Sequence, residues 1–331
     1  MARQANFRDR QCGAALLTVL LMVTVMSALA VAVIDDIRFA MRRTGNANLY
    51  AQAGWYVRGA EDFAQQLVKE TPADVLNAAL ADETAKQTSA TFDIEGGWIK
   101  ARVEDGANCF NLNSVVEDAG SGDYKVNPRG VTEFTNLLKA LDVNEGDREE
   151  LAAALVDWID SDTRPQPRGA EDYEYSALPV PYRTGNTLLA DVSELRAIKG
   201  FDATVVRMLE PYVCARPDTD KMVLNINSLR PDQAILLSAL VGEALKPYDA
   251  ENLIAERPAD GYPSAQAFWS LKTFEGLDID QEVKEQVSLE TSYYVLKADV
   301  SFHEAYMEIR SLFLRNGKDF TLISRQIGSE A

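Results

Sequence analysis

The sequence predicts an α+β protein in which a long N-terminal helix packs on an antiparallel sheet and a large all-α insertion interrupts that sheet. Three observations lead there. Residues 14–34 carry no charge, proline or glycine, and helical spacing then continues to Lys69. Apolar residues alternate with period two near residues 91–104 and again from residue 293 onward. Between these stretches an Asn-x-Asn-Ser motif occurs twice, each time ahead of helix-like sequence.

The helix comes first. A basic leader, with Arg3, Arg8 and Arg10, ends in Cys12-Gly13, and the apolar run Ala14 to Ile34 begins directly afterwards. At 1.5 Å per residue the run is roughly 31 Å long, about one bilayer core. Leu49, Ala53, Tyr56, Ala60, Phe63 and Leu67 then recur every three or four residues, the spacing of one buried face. Gly45, Gly54 and Gly59 weaken this half by about 1 kcal/mol each and mark bends or close helix contacts. Pro72 stops the pattern, and Ala73 to Leu80 forms a second, short helix.

The sheet is read from both ends of the insertion. Phe92 and Ile94, the turn Glu95-Gly96-Gly97, and Trp98 to Glu104 make a hairpin. From Tyr293, the side chains of Tyr294, Leu296, Ala298, Val300 and Phe302 share a face, with Lys297, Asp299 and Ser301 opposite. Tyr306 to Arg315 gives another strand. Asn316-Gly317 signals a turn into a last strand, Asp319 to Ile327. Either group alone is marginal, so together they form one sheet covered by the helix. His303, the one histidine, falls in a hairpin turn.

Residues 107–290 read as mostly helix, divided at 107–214 and 215–290. Phe110-Asn111-Leu112-Asn113-Ser114 is echoed by Leu224-Asn225-Ile226-Asn227-Ser228, with Asn and Ser as helix-capping residues. Helices follow at Val131–Leu141 and Asp147–Ile159 in one copy, and at Pro231–Leu245 and Ala250–Glu256 in the other. Each copy ends in a Gly-containing turn, at Lys199-Gly200 and Glu275-Gly276, a helix-hairpin-helix-like signal. DNA-binding versions of that motif carry basic residues, whereas this stretch is acidic, so nucleic acid is excluded as a partner.

The first copy contains an acidic loop. Asp157-Trp158-Ile159-Asp160-Ser161-Asp162 is followed, after a Pro- and Gly-rich turn, by Gly169-Ala170-Glu171-Asp172. Asp160, Asp162, Glu171 and Asp172 brought together by loop closure suit a hard cation that takes six to eight oxygen ligands. No thiolate or imidazole accompanies them to favour zinc. The spacing is not that of an EF-hand, and a solvated acidic turn capping a helix is the alternative. Paired carboxylates also occur in glycosidases, but no aromatic cleft accompanies these.

Composition narrows the function classes. The chain has 331 residues, 47% of them hydrophobic, and a formal charge of −18. Such an acidic surface repels nucleic acid and favours cations, basic partners or simple solubility. With a single histidine and no nucleophile elbow, most hydrolase mechanisms are disfavoured, and no catalytic residues are assigned.

The leader, in which a small residue precedes an apolar helix, resembles that of type IV prepilins. It lacks the order of a secretory signal peptide, in which the small residues follow a shorter apolar run. A plain signal anchor is the simpler alternative. The resemblance implies that prepilin peptidase cuts between Gly13 and Ala14, leaving an N-methylated Ala14, and that residues 14–34 stay in the inner membrane. Most such proteins carry Glu at the fifth mature position, which here is Thr18. That departure, the pilin-like helix-on-sheet arrangement (14–70 with 71–106 and 291–331) and the inserted helical pair together resemble the K-type minor pseudopilins of type II secretion. In that family the insertion is similar to two SAM-like units, and the acidic loop binds calcium. The resemblance carries Asp160, Asp162, Glu171 and Asp172 over as candidate calcium ligands. It further implies a non-enzymatic subunit at the pseudopilus tip, needed for initiation and export, with most of the chain in the periplasm. Its implied partners are the I, J and H types of minor pseudopilin, prepilin peptidase, inner-membrane lipid and exported proteins. In an oxidising compartment Cys109 and Cys214 can form a disulfide; otherwise they are two small buried thiols. The alternative functions are a minor pilin of a type IV pilus and a membrane-anchored calcium-dependent periplasmic hydrolase.

Overall fold

The computed structural model describes residues 9–82 and 85–328, with side chains described from Ala14 onward. Most of the leader, residues 1–8, therefore lies outside the described residues. Helix α1 (Asp9–Glu70) is continuous over 62 residues and is followed by α2 (Ala73–Leu80), β1 (Ser89–Ile94) and β2 (Gly97–Asp105). The insertion opens with β3 (Phe110–Asn111) and a hairpin of β4 (Val116–Gly120) and β5 (Asp123–Val126). Helices α3 (Pro128–Ala140), α4 (Glu145–Ile159), α5 (Asp172–Ser176) and α6 (Ala203–Leu209) lead to β6 (Val213–Cys214). The second copy runs through β7 (Leu224–Asn225), α7 (Ile235–Val241), α8 (Pro247–Ala255), α9 (Ala265–Trp269), α10 (Gln281–Lys284) and β8 (Val287–Ser288). The chain closes with β9 (Tyr293–Phe302), β10 (Ala305–Asn316) and β11 (Asp319–Ile327).

Strands from the two ends of the chain form one five-stranded antiparallel sheet, in the order β1-β2-β9-β10-β11. Gly97 pairs with Phe302 and Val103 with Leu296, so the insertion begins and ends at one end of the central β2–β9 ladder. The alternation expected of β9 holds: Tyr294, Leu296, Ala298, Val300 and Phe302 are all buried. His303 lies in the β9–β10 turn with φ +50°, and its N–H donates to the Gly96 carbonyl of the neighbouring turn. The last turn is Gly317-Lys318, with Asn316 already paired to Asp319, one residue later than the Asn-Gly pair suggested.

The face that α1 buries agrees only in part with the one expected: Ala53 and Ala60 lie in the core as read from the spacing, but the larger residues do not. Ala53, Val57, Ala60, Ala64 and Val68 face the sheet, while Phe63 is 39% exposed and Leu49, Tyr56 and Leu67 only flank the core. Small side chains let the helix axis approach the sheet, and the larger ones close the sides. Glu61 is buried in the same interface, where the Ser311 hydroxyl and the Arg325 guanidinium of β10 and β11 donate to it. A Cβ at Gly45, Gly54 or Gly59 would meet nothing within 4 Å, so these glycines mark no close contact inside the chain.

The insertion is less helical than its sequence suggests. Each copy is tied by a two-residue parallel ladder, β3 with β6 and β7 with β8. Each ladder joins the start of its copy to the end. The expected helix over Pro231–Leu245 breaks into a 3-10 turn, α7 and a second 3-10 turn. Gly242, at φ +75°, cannot continue an α-helix. Both copies share one hydrophobic core, from Phe110 through Leu155, Leu209 and Leu237 to Val287, separate from the core under α1.

The repeated asparagines are clamps more than caps. Asn113 Nδ2 donates to the Leu189 and Arg216 carbonyls, and its Oδ1 accepts from the Leu189 N–H. Asn227 grips Tyr262 N–H and C=O in the same way. In each copy a buried amide replaces a missing strand partner for one passing residue. Asn111 does act locally, accepting from the Asn113 N–H.

The insertion is mounted on the sheet through a buried polar joint. Asp105, at the end of β2, accepts from the Ala107 and Asn108 N–H groups, the Thr291 and Ser228 hydroxyls, and the Asn225 amide. Asn77 of α2 joins the set, accepting from Asn225 and donating to the Leu289 carbonyl. Burial pushes the Asp105 carboxyl up from its ordinary value, against the pull of these donors. Cys109 and Cys214 are bonded beside the joint, with Cα atoms 5.8 Å apart. In the chain-entropy model a loop of this length stabilises the fold by about 4–5 kcal/mol.

Candidate functional site

The acidic loop hangs from the C-terminal end of α4. That helix ends at Ile159 because Asp160 turns to extended backbone, φ −65° and ψ 162°. Asp157, in the last helical turn, is fully buried. Asp162 lies outside the helix, where its Oδ1 accepts from the Arg164 N–H in a tight turn. The chain then reverses. The Gln166 N–H donates to Asp157 Oδ1 at 2.9 Å, and the Gly169 N–H donates to the Gln166 carbonyl at 2.8 Å. Gly169 is required at its position, since a Cβ there would sit 1.9 Å from Asp157 Oδ2. The return brings Glu171 back to the end of α4 as the N-cap of α5.

Asp160, Asp162 and Glu171 converge, each offering a carboxylate oxygen within 4.8 Å of the others. Asp160 and Glu171 are buried, whereas Asp162 faces solvent. Asp172, the fourth residue expected, is not part of the group. Its Oδ1 instead accepts from the Thr184 N–H and hydroxyl at 3.0 and 2.9 Å, which closes the far end of the loop. Asp157 lies near enough for its charge to push up both Asp160 and Glu171; spacing does not single it out because it lies within helix α4. The available signal was its place one turn before Asp160, on the same face of the helix.

The group is electrostatically unfinished. Asp157 Oδ2, Asp160 Oδ1 and Glu171 Oε1 are buried with no hydrogen-bond partner among the described residues. Burial first, then the neighbouring Asp162, Asp157 and Glu171 carboxylates, raise Asp160 to about 7. Glu171 is raised to about 7 by burial, with Asp157, Asp162 and Asp172 adding to it. Burial also raises Asp157. Two unit charges about 5 Å apart repel by about 3 kcal/mol at an effective dielectric of 20, and among the described residues the three unpartnered oxygens accept from no arginine or lysine. Orphaned, buried, all-oxygen carboxylates fit a hard cation. An aromatic wall backs the site: Trp158, Tyr175 and Tyr182 pack with ring centroids 5.2–6.2 Å apart.

The processing residues lie at the other end. The backbone at Gly13 and Ala14 is helical and continuous with α1. α1 is long and apolar enough to cross a membrane, fitting a single-pass anchor, and its apolar side chains are exposed. Thr18 donates its hydroxyl to the Ala15 carbonyl at 2.9 Å, so it satisfies itself within the helix where Glu would need an outside partner.

The family profile described as "Type II secretion system (T2SS), protein K" matches residues 108–218 with its first part and 224–290 with its second. The chain is 33% identical to type II secretion system protein K of Pectobacterium carotovorum subsp. carotovorum, covering 97% of this chain and 98% of that one. It is 35% identical to the protein K of Aeromonas hydrophila, covering 95% and 96%. A solved chain of the GspK-GspI-GspJ complex from enterotoxigenic Escherichia coli superposes with a TM-score of 0.70 at 31% identity. It covers 87% of this chain and 100% of that one.

Proposed function

The chain belongs to the type II secretion system protein K family, the K-type minor pseudopilins, and from that premise we propose that it works at the pseudopilus tip. There it initiates assembly and supports export across the outer membrane, with the I- and J-type pseudopilins beneath it and the H type in the same assembly. The observation that carries this reading is the near full-length likeness to a chain solved within a GspK-GspI-GspJ complex. The wide insertion mounted on the sheet supports it, because a copy this broad is difficult to stack under another. Thr18 supports it as well. A subunit with nothing above needs no carboxylate to pair with the next N-terminal amine, and the Thr18 hydroxyl is already satisfied.

In this reading prepilin peptidase cuts between Gly13 and Ala14, Ala14 is N-methylated, and the bulk of the chain is periplasmic. The two halves of the insertion are SAM-like units, a view supported by their matching Asn clamps and ladders. The role is mechanical, without a catalytic site. Calcium fits the acidic loop: Asp157, Asp160, Asp162 and Glu171 would hold it, and the ion would neutralise carboxylates that now repel one another. Its contribution is to lock the loop onto the end of α4.

The test is complementation of a strain lacking its own K-type gene. Wild-type chain restores the exported proteins to the medium, and the mature protein starts at Ala14. Export without this chain, or a mature start near Asp35, contradicts the reading. Thr18→Glu is expected to impair assembly by admitting a subunit above.

A further inference from the structure

Beyond the anchor itself, Asp35 and Asp36 follow the apolar run directly, and the turns after them are basic, so residues 35–60 carry four arginines against two aspartates. Residues 37–60 contain Arg38, Arg42, Arg43 and Arg58 and no acidic residue, in a chain whose formal charge is −18. We propose that Arg42 and Arg43 bind the phosphates of anionic phospholipid headgroups on the outer face of the membrane that residues 14–34 span. The inference rests on the membrane reading above and adds a lipid preference to it.

The geometry supports the contact. At 1.5 Å per residue, Arg38 lies about 6 Å past Ile34, and Arg42 and Arg43 about 12–14 Å past it. The headgroup layer extends about 5–8 Å beyond the hydrocarbon core. Helical Cα–Cβ bonds tilt toward the N-terminus, here toward the bilayer, and arginine reaches several ångströms further by snorkelling. The guanidinium groups of Arg42 and Arg43 therefore fall back to phosphate level. Arg38 is already engaged by Asp35 at 3.8 Å, while Arg42 and Arg43 have no carboxylate partner among the described residues. Phe39 and Met41, 71% and 69% exposed, share the band and suit the boundary between chains and headgroups. Guanidinium matches phosphate in two parallel hydrogen bonds.

Chemistry also argues for a need. An acidic domain is pushed away from an anionic surface. Once residues 1–13 are removed, Arg3, Arg8 and Arg10 leave with them, and the arginines past Ile34 are the nearest cationic side chains to the bilayer. They hold the helix at a fixed depth while the acidic body stands clear.

The experiment reconstitutes the full chain in phosphatidylcholine bilayers containing spin-labelled phosphatidylglycerol or spin-labelled phosphatidylcholine. It reads the relative association of each lipid with the protein boundary. Wild type prefers phosphatidylglycerol, and the preference falls about five-fold or more in Arg42→Gln/Arg43→Gln. Arg42→Lys/Arg43→Lys retains most of it, and 0.5 M salt weakens it. The leader arginines are common to all variants and contribute the same background preference to each. An unchanged preference in the double Gln variant overturns the proposal while leaving the anchor reading intact. Loss of a partner pseudopilin from the double Gln variant, with no lipid preference in wild type, assigns the pair to protein contacts and equally overturns it. A chain that is extracted at alkaline pH, with no stable insertion, overturns the anchor reading itself.

Discussion

Asp157 and Gly169 set the acidic loop between them. The Asp157 carboxylate is fully buried, holds the Gln166 N–H with one oxygen, and leaves the other unpartnered. Gly169 passes so close that any side chain would strike that oxygen. Gly169→Ala is therefore expected to displace Asp157, lower stability by about 1–3 kcal/mol, and weaken calcium binding; urea midpoints with and without calcium check both. The raised carboxyls give a pH prediction with a definite sign. Asp160 and Glu171 titrate near 7 in the fold, above their ordinary values of 3.8 and 4.5. The folded chain thus holds protons that the unfolded chain has lost. Their contribution is full below about pH 4 and is lost as pH rises through about 7. In EDTA the unfolding midpoint should fall as pH rises from about 4 to about 7 and level off above that. The calcium proposed for the loop would displace the same protons, so its affinity is expected to drop by up to about tenfold per displaced proton from about pH 7 to pH 6. A flat calcium titration over that range counts against Asp160 and Glu171 as ligands.

At the scale of elements, α1 is two helices in one: an apolar half meant for lipid and a half that packs on the sheet. The second half is fixed in register by one buried charge. Glu61 meets the Arg325 fork and the Ser311 hydroxyl, so it ties α1 to β10 and β11 together. Glu61→Gln keeps the shape but offers an amide N–H₂ to one of these donors. The expected cost is about 2–3 kcal/mol, less than for a fully enclosed pair because Arg325 is 30% exposed. Faster hydrogen exchange along β11 than along β9 would locate the loss; equal change across the sheet would place the effect elsewhere. Periodicity along α1 reveals this packing and, in Ala53 and Ala60, two residues of its buried face, but not the rest of that face. Leu49, Tyr56, Phe63 and Leu67 look like the core because they are large, yet the sheet selects the Ala and Val stripe between them. Side-chain size alone does not say how close two backbones come.

The molecule as a whole consists of two cores joined by a polar joint at Asp105, with the Tyr293–Asp218 and Gln326–Asp191 hydrogen bonds as further ties. The sheet with α1 makes one, both copies of the insertion share the other, and Asp105 sits between them. Its five donors come from β2's own exit, the second copy and the strand that returns to the sheet. Asp105→Asn turns one acceptor oxygen into a donor facing donors. It is expected to cost about 2 kcal/mol or more and to loosen the insertion without unfolding either core. Hydrogen exchange should rise at residues 105–108, 225–228 and 289–291 and stay slow at the centres of α3 and β9. Uniform acceleration would mean that the joint is not a separate element.

Local sequence determined the features that depend on neighbours in the chain. The apolar run, the strand alternation, the turn glycines and the repeated Asn-x-Asn-Ser each follow from spacings of two, four or a few residues. So do the hairpins around Gly96 and Gly317, and the concentration of acid after α4. Tertiary structure decided what depends on partners far along the chain. Asp172 is held by Thr184 rather than joining the carboxylate group, and the repeated asparagines became clamps because Leu189 and Tyr262 pass beside them. Periodicity records which side of an element is apolar. Which polar group is left unpaired is settled only when distant segments meet, because hydrogen bonds are spent on whichever donor arrives.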